Sequence, residues 1–252
     1  MPAVAQVDVG APSRARGLVP AEQLESAATQ EYSKMLAQAK QQGALAPDNY
    51  PALQKIRNIA ARIIPHSYRF NERAKTWRWE VNLLGSKQIN AFCMPGGKIA
   101  FYTGILDQLQ LTEDEAAMVM GHEMAHALRE HARARIAKEQ GTGSLLALGA
   151  QILGLGQLGD LAANIGTQLI SLKWSRGDET EADLIGLELG ARAGYVPEAA
   201  VSLWEKMGKA SGGNSGPAWM SSHPPSADRL QRLRDNVPKV RGLYQQAVAS
   251  KR

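Results

Sequence analysis

The segment that most restricts this chain is His122-Glu123-Met124-Ala125-His126, because its two histidines must face the same point in space. A helix-start signal lies ten residues before it. Thr112 is followed three residues on by Glu115, the pairing of a capping box, in which each side chain reaches the other residue's backbone N–H. The pattern predicts one long helix from Thr112 to about Glu139, broken by Gly141–Gly143. On a helix, residues four apart share a face, so both imidazoles can reach one ion. Glu123 is turned about 100° from His122, where it can take a proton from water without ligating the ion. Chance is a poor rival, since a chain with 5 His among 252 residues should contain on the order of 0.006 such matches.

Histidine and glutamate in this order are the signature of a zinc site with three protein ligands and one open position, as zinc-dependent hydrolases use it. The third ligand must come from elsewhere, because no histidine stands at the metzincin spacing. His131, five residues past His126, is about 140° around a continuous helix and is expected to face solvent or a packing neighbour. The remaining candidates are Glu179, Glu181 and Asp183, at the start of a second predicted helix. Glu179 and Asp183 share a face and Glu181 points elsewhere. One carboxylate on the metal and one accepting a hydrogen bond from a ligating histidine would fit that spacing. An acidic first turn is also ordinary helix-dipole chemistry, so spacing alone leaves the choice open.

Around this pair the chain reads as mostly helical. Helices are predicted over 21–43, from Tyr50 to Ile64 with Pro65 as the stop, over Asp178–Ala193 and Pro197–Met207, and from Ala227 onward. Alternation of Trp77, Trp79, Val81 and Leu83 with polar residues predicts a strand over Thr76–Leu84, with further strands at Gln88–Cys93 and Lys98–Tyr102. The expected fold is α+β, a mostly helical domain over 21–252 with a small sheet of about three strands, preceded by a flexible tail at 1–20.

The net charge of +5 gathers largely near the ends. With no nucleic-acid-binding module, it reads as solvated basic surface, and no nucleic-acid partner is expected. Cys93 is the sole cysteine, so no intramolecular disulfide forms, and it reads as a small hydrophobe. The best candidate for a membrane span, Ser144–Leu158, is too short and too polar for one, and the longer apolar, glycine-punctuated stretch Ser144–Leu172 suits a cover beside the active cleft. No apolar core marks residues 1–20 as a signal peptide. The chain is therefore cytosolic, or a form without its targeting segment, with room for peripheral or lipid-anchored association of a full-length precursor.

Four segments together resemble one family: Asn90–Leu106 (NAFCMPGGKIAFYTGIL), Gly121–Leu128 (GHEMAHAL), Ser175–Asp183 (SRGDETEAD) and Ser221–Leu233 (SSHPPSADRLQRL). Their order and spacing are similar to those of the zinc peptidases that include HtpX, the CAAX prenyl protease, mitochondrial OMA-type proteases and periplasmic BepA and LoiP. The resemblance implies a zincin-like fold and one Zn²⁺ per chain held by His122, His126 and Glu179, with Asp183 as the partner of a ligand and Glu123 as catalytic base. It implies that Asn90, Ala91 and Phe92 offer an edge strand to extended substrate. It also puts His223 and Arg229 near the metal, His223 either supporting the oxyanion or filling the fourth zinc position at rest. The absence of membrane spans favours the BepA/LoiP-like branch, hence a periplasmic endopeptidase acting on unfolded or misassembled proteins in envelope quality control. The alternative is a metal-binding chaperone or scaffold that does not cleave, which an intact Glu123 disfavours.

Overall fold

A computed structural model describes residues 7–139, 172–210, 218–223 and 227–250. Among these the chain order is α1 (Ala21–Gln41), α2 (Pro51–Ser67), β1 (Glu80–Leu84), β2 (Ala91–Met94), β3 (Lys98–Tyr102), α3 (Thr103–Gln108), α4 (Glu113–Leu128), α5 (His131–Glu139), α6 (Arg176–Arg192), α7 (Ala199–Ala210), α8 (Ala218–Ser222) and α9 (Ala227–Ala249). Mostly helical with one small mixed sheet, it is the α+β architecture that the pattern predicts.

The capping box forms as read. Thr112 Oγ1 accepts from the Glu115 backbone at 3.2 Å, and Glu115 accepts from the Thr112 N–H at 2.9 Å. Every residue of α4 from Glu115 to Leu128 is buried, as befits a helix with few polar positions that is packed on all sides. It lies against α2, α6, α7 and β2. The crossing with α6 is unusually close because two glycines meet there. A Cβ on Gly121 would stand 2.8 Å from the Gly186 carbonyl oxygen, and one on Gly186 would stand 2.7 Å from the His122 nitrogen. This backbone approach lets side chains from α4 and α6 converge on one point.

The sheet has the order β1-β3-β2, with β1 parallel and β2 antiparallel to the central β3. Gly96 and Gly97, both at positive φ, make the turn between β2 and β3, and Gly97 sits where a Cβ would be 2.7 Å from the Trp79 ring. The outer side of β1 is used: Ala46 N–H donates to the Leu83 carbonyl and Leu45 bridges Leu84. β2 forms the opposite edge, against α4.

Several expectations change. Pro65 does not stop α2, which runs to Ser67; so near the helix end proline forfeits only a last-turn bond, and the Ser67 hydroxyl bonds the Ile64 carbonyl at 2.7 Å. The strands expected at Thr76–Leu84 and Gln88–Cys93 are shorter and begin later, at Glu80 and Ala91. The long helix is two helices, broken where Glu130 adopts a left-handed φ of 57°. Asn71 satisfies a carbonyl freed at that break, donating to Leu128 O at 3.0 Å.

The segment read as a loose tail is packed from residue 7. Val7 is buried and its N–H donates to the buried Glu188 carboxylate at 2.7 Å, while Arg16 pairs with Glu130 at 3.0 Å. Buried partners of this kind have no counterpart in local composition, which is why the sequence suggested a tail. Cys93 is half-buried against the core, and the burial of its thiol pushes its pKa well up, which suits a packing residue. Residues 140–171, which hold nearly all of the supposed cover Ser144–Leu172, lie outside the described residues.

Candidate metal centre

Three helices and one short segment supply the centre. α4 contributes His122, Glu123 and His126; the first two turns of α6 contribute Glu179 and Asp183; His223 follows α8, and Arg229 opens α9. α6 is held in place by its own capping box, Ser175 with Asp178, which sequence reading overlooked although both residues are in plain view. Ligand atoms of His122, His126, Glu179 and His223 all lie within 4.8 Å of one another, and all four residues are buried.

The ring nitrogens carry the argument. His122 Nε2 and His126 Nε2 face each other at 3.2 Å, and Glu179 Oε1 lies 3.3 Å from His126 Nε2. On its other side His122 Nδ1 meets Asp183 Oδ1 at 3.0 Å. A carboxylate accepts only, so Nδ1 carries the proton and His122 Nε2 presents a lone pair inward. Two imidazole nitrogens and a carboxylate converging in a buried space are short of a positive charge. A borderline-soft cation that accepts nitrogen and oxygen ligands in tetrahedral geometry matches this donor set, and zinc fits it.

Burial and neighbouring charges pull these ligands in opposite directions. Burial holds the His126 imidazole well below the usual histidine range, against the pull of Glu179, so it is neutral and able to ligate. For His122 burial also acts downward, but the bond to Asp183 and the nearby Glu179 carboxylate prevail and raise it. Glu179 is ionised despite burial, because the adjoining His126 and His223 side chains hold its carboxyl far down. Asp183 likewise resists burial through Arg229, whose guanidinium reaches Asp183 at 2.7 and 2.8 Å and Glu179 at 2.6 Å. Arg229 also lies 3.7 Å over the Trp204 ring. Burial raises Glu123, partly offset by His223, His122 and the Trp219 indole, whose N–H donates to it at 2.5 Å.

The structure thus brings His122, Glu123, His126, Glu179, Asp183, His223 and Arg229 into one cluster. His223 Nδ1 is 2.9 Å from Glu179 Oε1 and 3.3 Å from His122 Nε2, and its Nε2 is 3.5 Å from Glu123. Two tryptophans that sequence reading did not single out close over the centre: Trp174 stacks on His126 and Trp219 on His223, with ring centres 4.4 and 4.5 Å apart. Asn90, Ala91 and Phe92 enter β2 at the sheet edge. Tyr102 N–H donates to the Asn90 carbonyl at 3.1 Å, which makes Asn90 and Tyr102 a hydrogen-bonded pair and turns the backbone groups of Ala91 and Cys93 outward.

His131 requires a correction. It is buried, not turned to solvent, and its Nδ1 lies 3.0 Å from His126 Nδ1. Its Nε2 is 3.3 Å from Glu181, the acidic residue expected to point away from the site. The cause is the break at Glu130. With a left-handed residue between α4 and α5, the 140° offset of a continuous helix no longer applies. Glycine would have signalled such a break, and glutamate gives no such signal.

Comparison with known proteins shows the family. Residues 53–237, more than half of the chain, match Peptidase family M48. The chain is 34% identical over 196 residues to the mitochondrial metalloendopeptidase OMA1 of Schizosaccharomyces pombe, covering 77% of this chain and 56% of that protein. It is 31% identical over 156 residues to the metalloprotease LoiP of Escherichia coli, covering 60% of each. The beta-barrel assembly-enhancing protease of Escherichia coli is 27% identical over 209 residues, covering 79% of this chain and 42% of that one. Against three OMA1 relatives the chain spans between 31% and 65% of their length.

Proposed function

Because this chain belongs to Peptidase family M48, we propose that it is a zinc-dependent endopeptidase that cleaves unfolded or misassembled proteins. The observation that carries this reading is the inward convergence of His122 Nε2, His126 Nε2 and the Glu179 carboxylate beside Glu123. His122, His126 and Glu179 hold the metal, and Asp183, itself gripped by Arg229, fixes the His122 ring. Zinc, when bound, supplies a Lewis acid that acidifies water and polarises the scissile carbonyl. Glu123 takes the proton from the attacking water and delivers it to the departing amine, a task suited to a carboxyl raised by burial. Substrate pairs as an added strand with the outward backbone groups of β2, displacing Asn90 Oδ1 from the Ala91 N–H that donates to it at 3.0 Å. Recognition through main chain favours extended segments of many sequences, as unfolded proteins provide.

The reading is tested by incubating the protein with unfolded casein and with a compact folded protein, each with and without a chelator. Casein should be cut at many positions and the folded protein spared, with cleavage abolished by the chelator and restored by zinc. Cutting that survives the chelator, or that is confined to one site of the folded protein, contradicts it.

His223 has two tasks in this account. With zinc bound it would offer a fourth ligand beside His122, His126 and Glu179, and once displaced by substrate it would donate to the developing oxyanion. Its Nδ1, 2.9 Å from Glu179, supports the first. Removing one oxyanion donor typically lowers turnover on the order of 100- to 1000-fold, so His223→Ala should show such a loss with saturating short peptide at fixed zinc. A rate above wild type would mean that latency is its main task, and a rate within about twofold of wild type would remove both.

For the cellular setting we propose the bacterial periplasm and envelope protein quality control. Relatives named as a metalloprotease of Escherichia coli and as a beta-barrel assembly-enhancing protease support it. OMA1 relatives are mitochondrial, so fractionation of the native host decides; recovery in the cytosol would overturn this placement.

A further inference from the structure

One pair of side chains beside the centre is unused by the reaction just described: His131 and Glu181. We infer that His131, backed by Glu181, is a positioning residue for the ligand His126, fixing its orientation and its tautomer for zinc. The inference rests on the zinc reading above and deepens it.

The hydrogen-bond chain leads outward from the metal position. His126 Nδ1 meets His131 Nδ1 at 3.0 Å, and only one of these nitrogens can carry the proton of that bond. At its far side His131 Nε2 meets Glu181 Oε2 at 3.3 Å. A carboxylate accepts, so His131 bears its proton on Nε2 and offers a lone pair at Nδ1. His126 must then be the donor through Nδ1–H, which leaves its Nε2 bare and aimed at His122 Nε2 and Glu179. Both ligating histidines are thereby set alike: Asp183 acts directly on His122, and Glu181 acts on His126 through an intervening imidazole.

Glu181 is itself fixed. Arg129, almost wholly buried, donates to the same Oε2 at 2.5 Å and to the carbonyls of Val9 and Gly10 at 3.3 and 3.1 Å. The left-handed Glu130 that separates α4 from α5 is what returns the His131 ring to His126. Without His131, His126 is free to carry its proton on Nε2 and donate it to Glu179, 3.3 Å away. That tautomer competes with the metal for the same nitrogen. Outer partners of ligating histidines typically account for about 10- to 100-fold in metal affinity.

The test is an equilibrium zinc competition with a chromophoric chelator on the purified chain, comparing wild type with His131→Phe, His131→Asn and Glu181→Ala. Phenylalanine keeps the ring volume without an acceptor. Asparagine loses volume but keeps an acceptor on the atom next to Cγ, where Nδ1 stands. Positioning predicts that zinc affinity falls about 10- to 100-fold in His131→Phe and Glu181→Ala, with His131→Asn closer to wild type. A packing role predicts the reverse order, with phenylalanine harmless and asparagine the poorer binder, and that order overturns the inference. If His131→Phe does not fold in its zinc-free form, Glu181→Ala decides, and should the loss of Arg129's partner unfold it too, the double variant Glu181→Ala with Arg129→Met, which removes the buried cation along with its carboxylate, takes its place. Wild type that binds zinc tightly while Glu181→Ala binds it equally well overturns this inference only. Wild type that binds no zinc overturns the zinc reading with it.

Discussion

Glu123→Gln should lower peptide hydrolysis by about 100- to 10,000-fold while leaving zinc content and thermal stability close to wild type. The substitution keeps the shape of the side chain and an oxygen that still accepts from the Trp219 indole, which lies 2.5 Å from Glu123. Only the capacity to take a proton is lost. Glu123 is not among the converging ligand atoms of His122, His126, Glu179 and His223, so metal retention is the natural expectation. Peptide turnover measured beside metal analysis on the same sample checks both halves. Undiminished cleavage would remove Glu123 from the chemistry, and loss of zinc together with activity would mean that it ligates.

Glu179→Ala should abolish activity by a different route and should cost folding stability as well. Glu179 supplies the carboxylate of the ligand set, and its far oxygen lies 2.6 Å from Arg229. Arg229 is buried and serves Asp183 at the same time. Removing one of its two carboxylates leaves a buried cation less well compensated, a change that typically destabilises by about 3–5 kcal/mol. Chemical denaturation of metal-free protein should therefore show Glu179→Ala to be less stable than Glu179→Gln, which keeps the volume and an acceptor oxygen. Stability of Glu179→Ala equal to that of wild type would mean that the ion pair with Arg229 contributes nothing to the fold.

What the sequence made legible was local. The Thr112–Glu115 box and the i, i+4 histidines follow from spacing along one helix, and α4 carries both as read. The shared face of Glu179 and Asp183 was equally legible, whereas the choice between them came from resemblance to known proteins, because spacing cannot rank two carboxylates. Some misreadings were local, such as Pro65 inside α2 and the overlooked Ser175–Asp178 box, and others concern interactions between distant segments. Val7 reaches Glu188 across 181 residues, and no composition rule anticipates a buried backbone donor there. His131 was assigned by extrapolating a regular helix through a residue that leaves helical geometry without glycine or proline. Trp174 and Trp219, which stack on His126 of α4 and on His223, lie in stretches too short to show a periodic pattern, so nothing in their neighbourhoods marked them.

The central claim is that His122, His126 and Glu179 form one zinc site. It is tested most directly by the zinc-to-chain ratio of wild type and Glu179→Ala, purified side by side and measured by elemental analysis. The account predicts about one zinc per chain in wild type and almost none in Glu179→Ala. Full occupancy in Glu179→Ala, or wild type purified from zinc-replete cells without zinc, would contradict it.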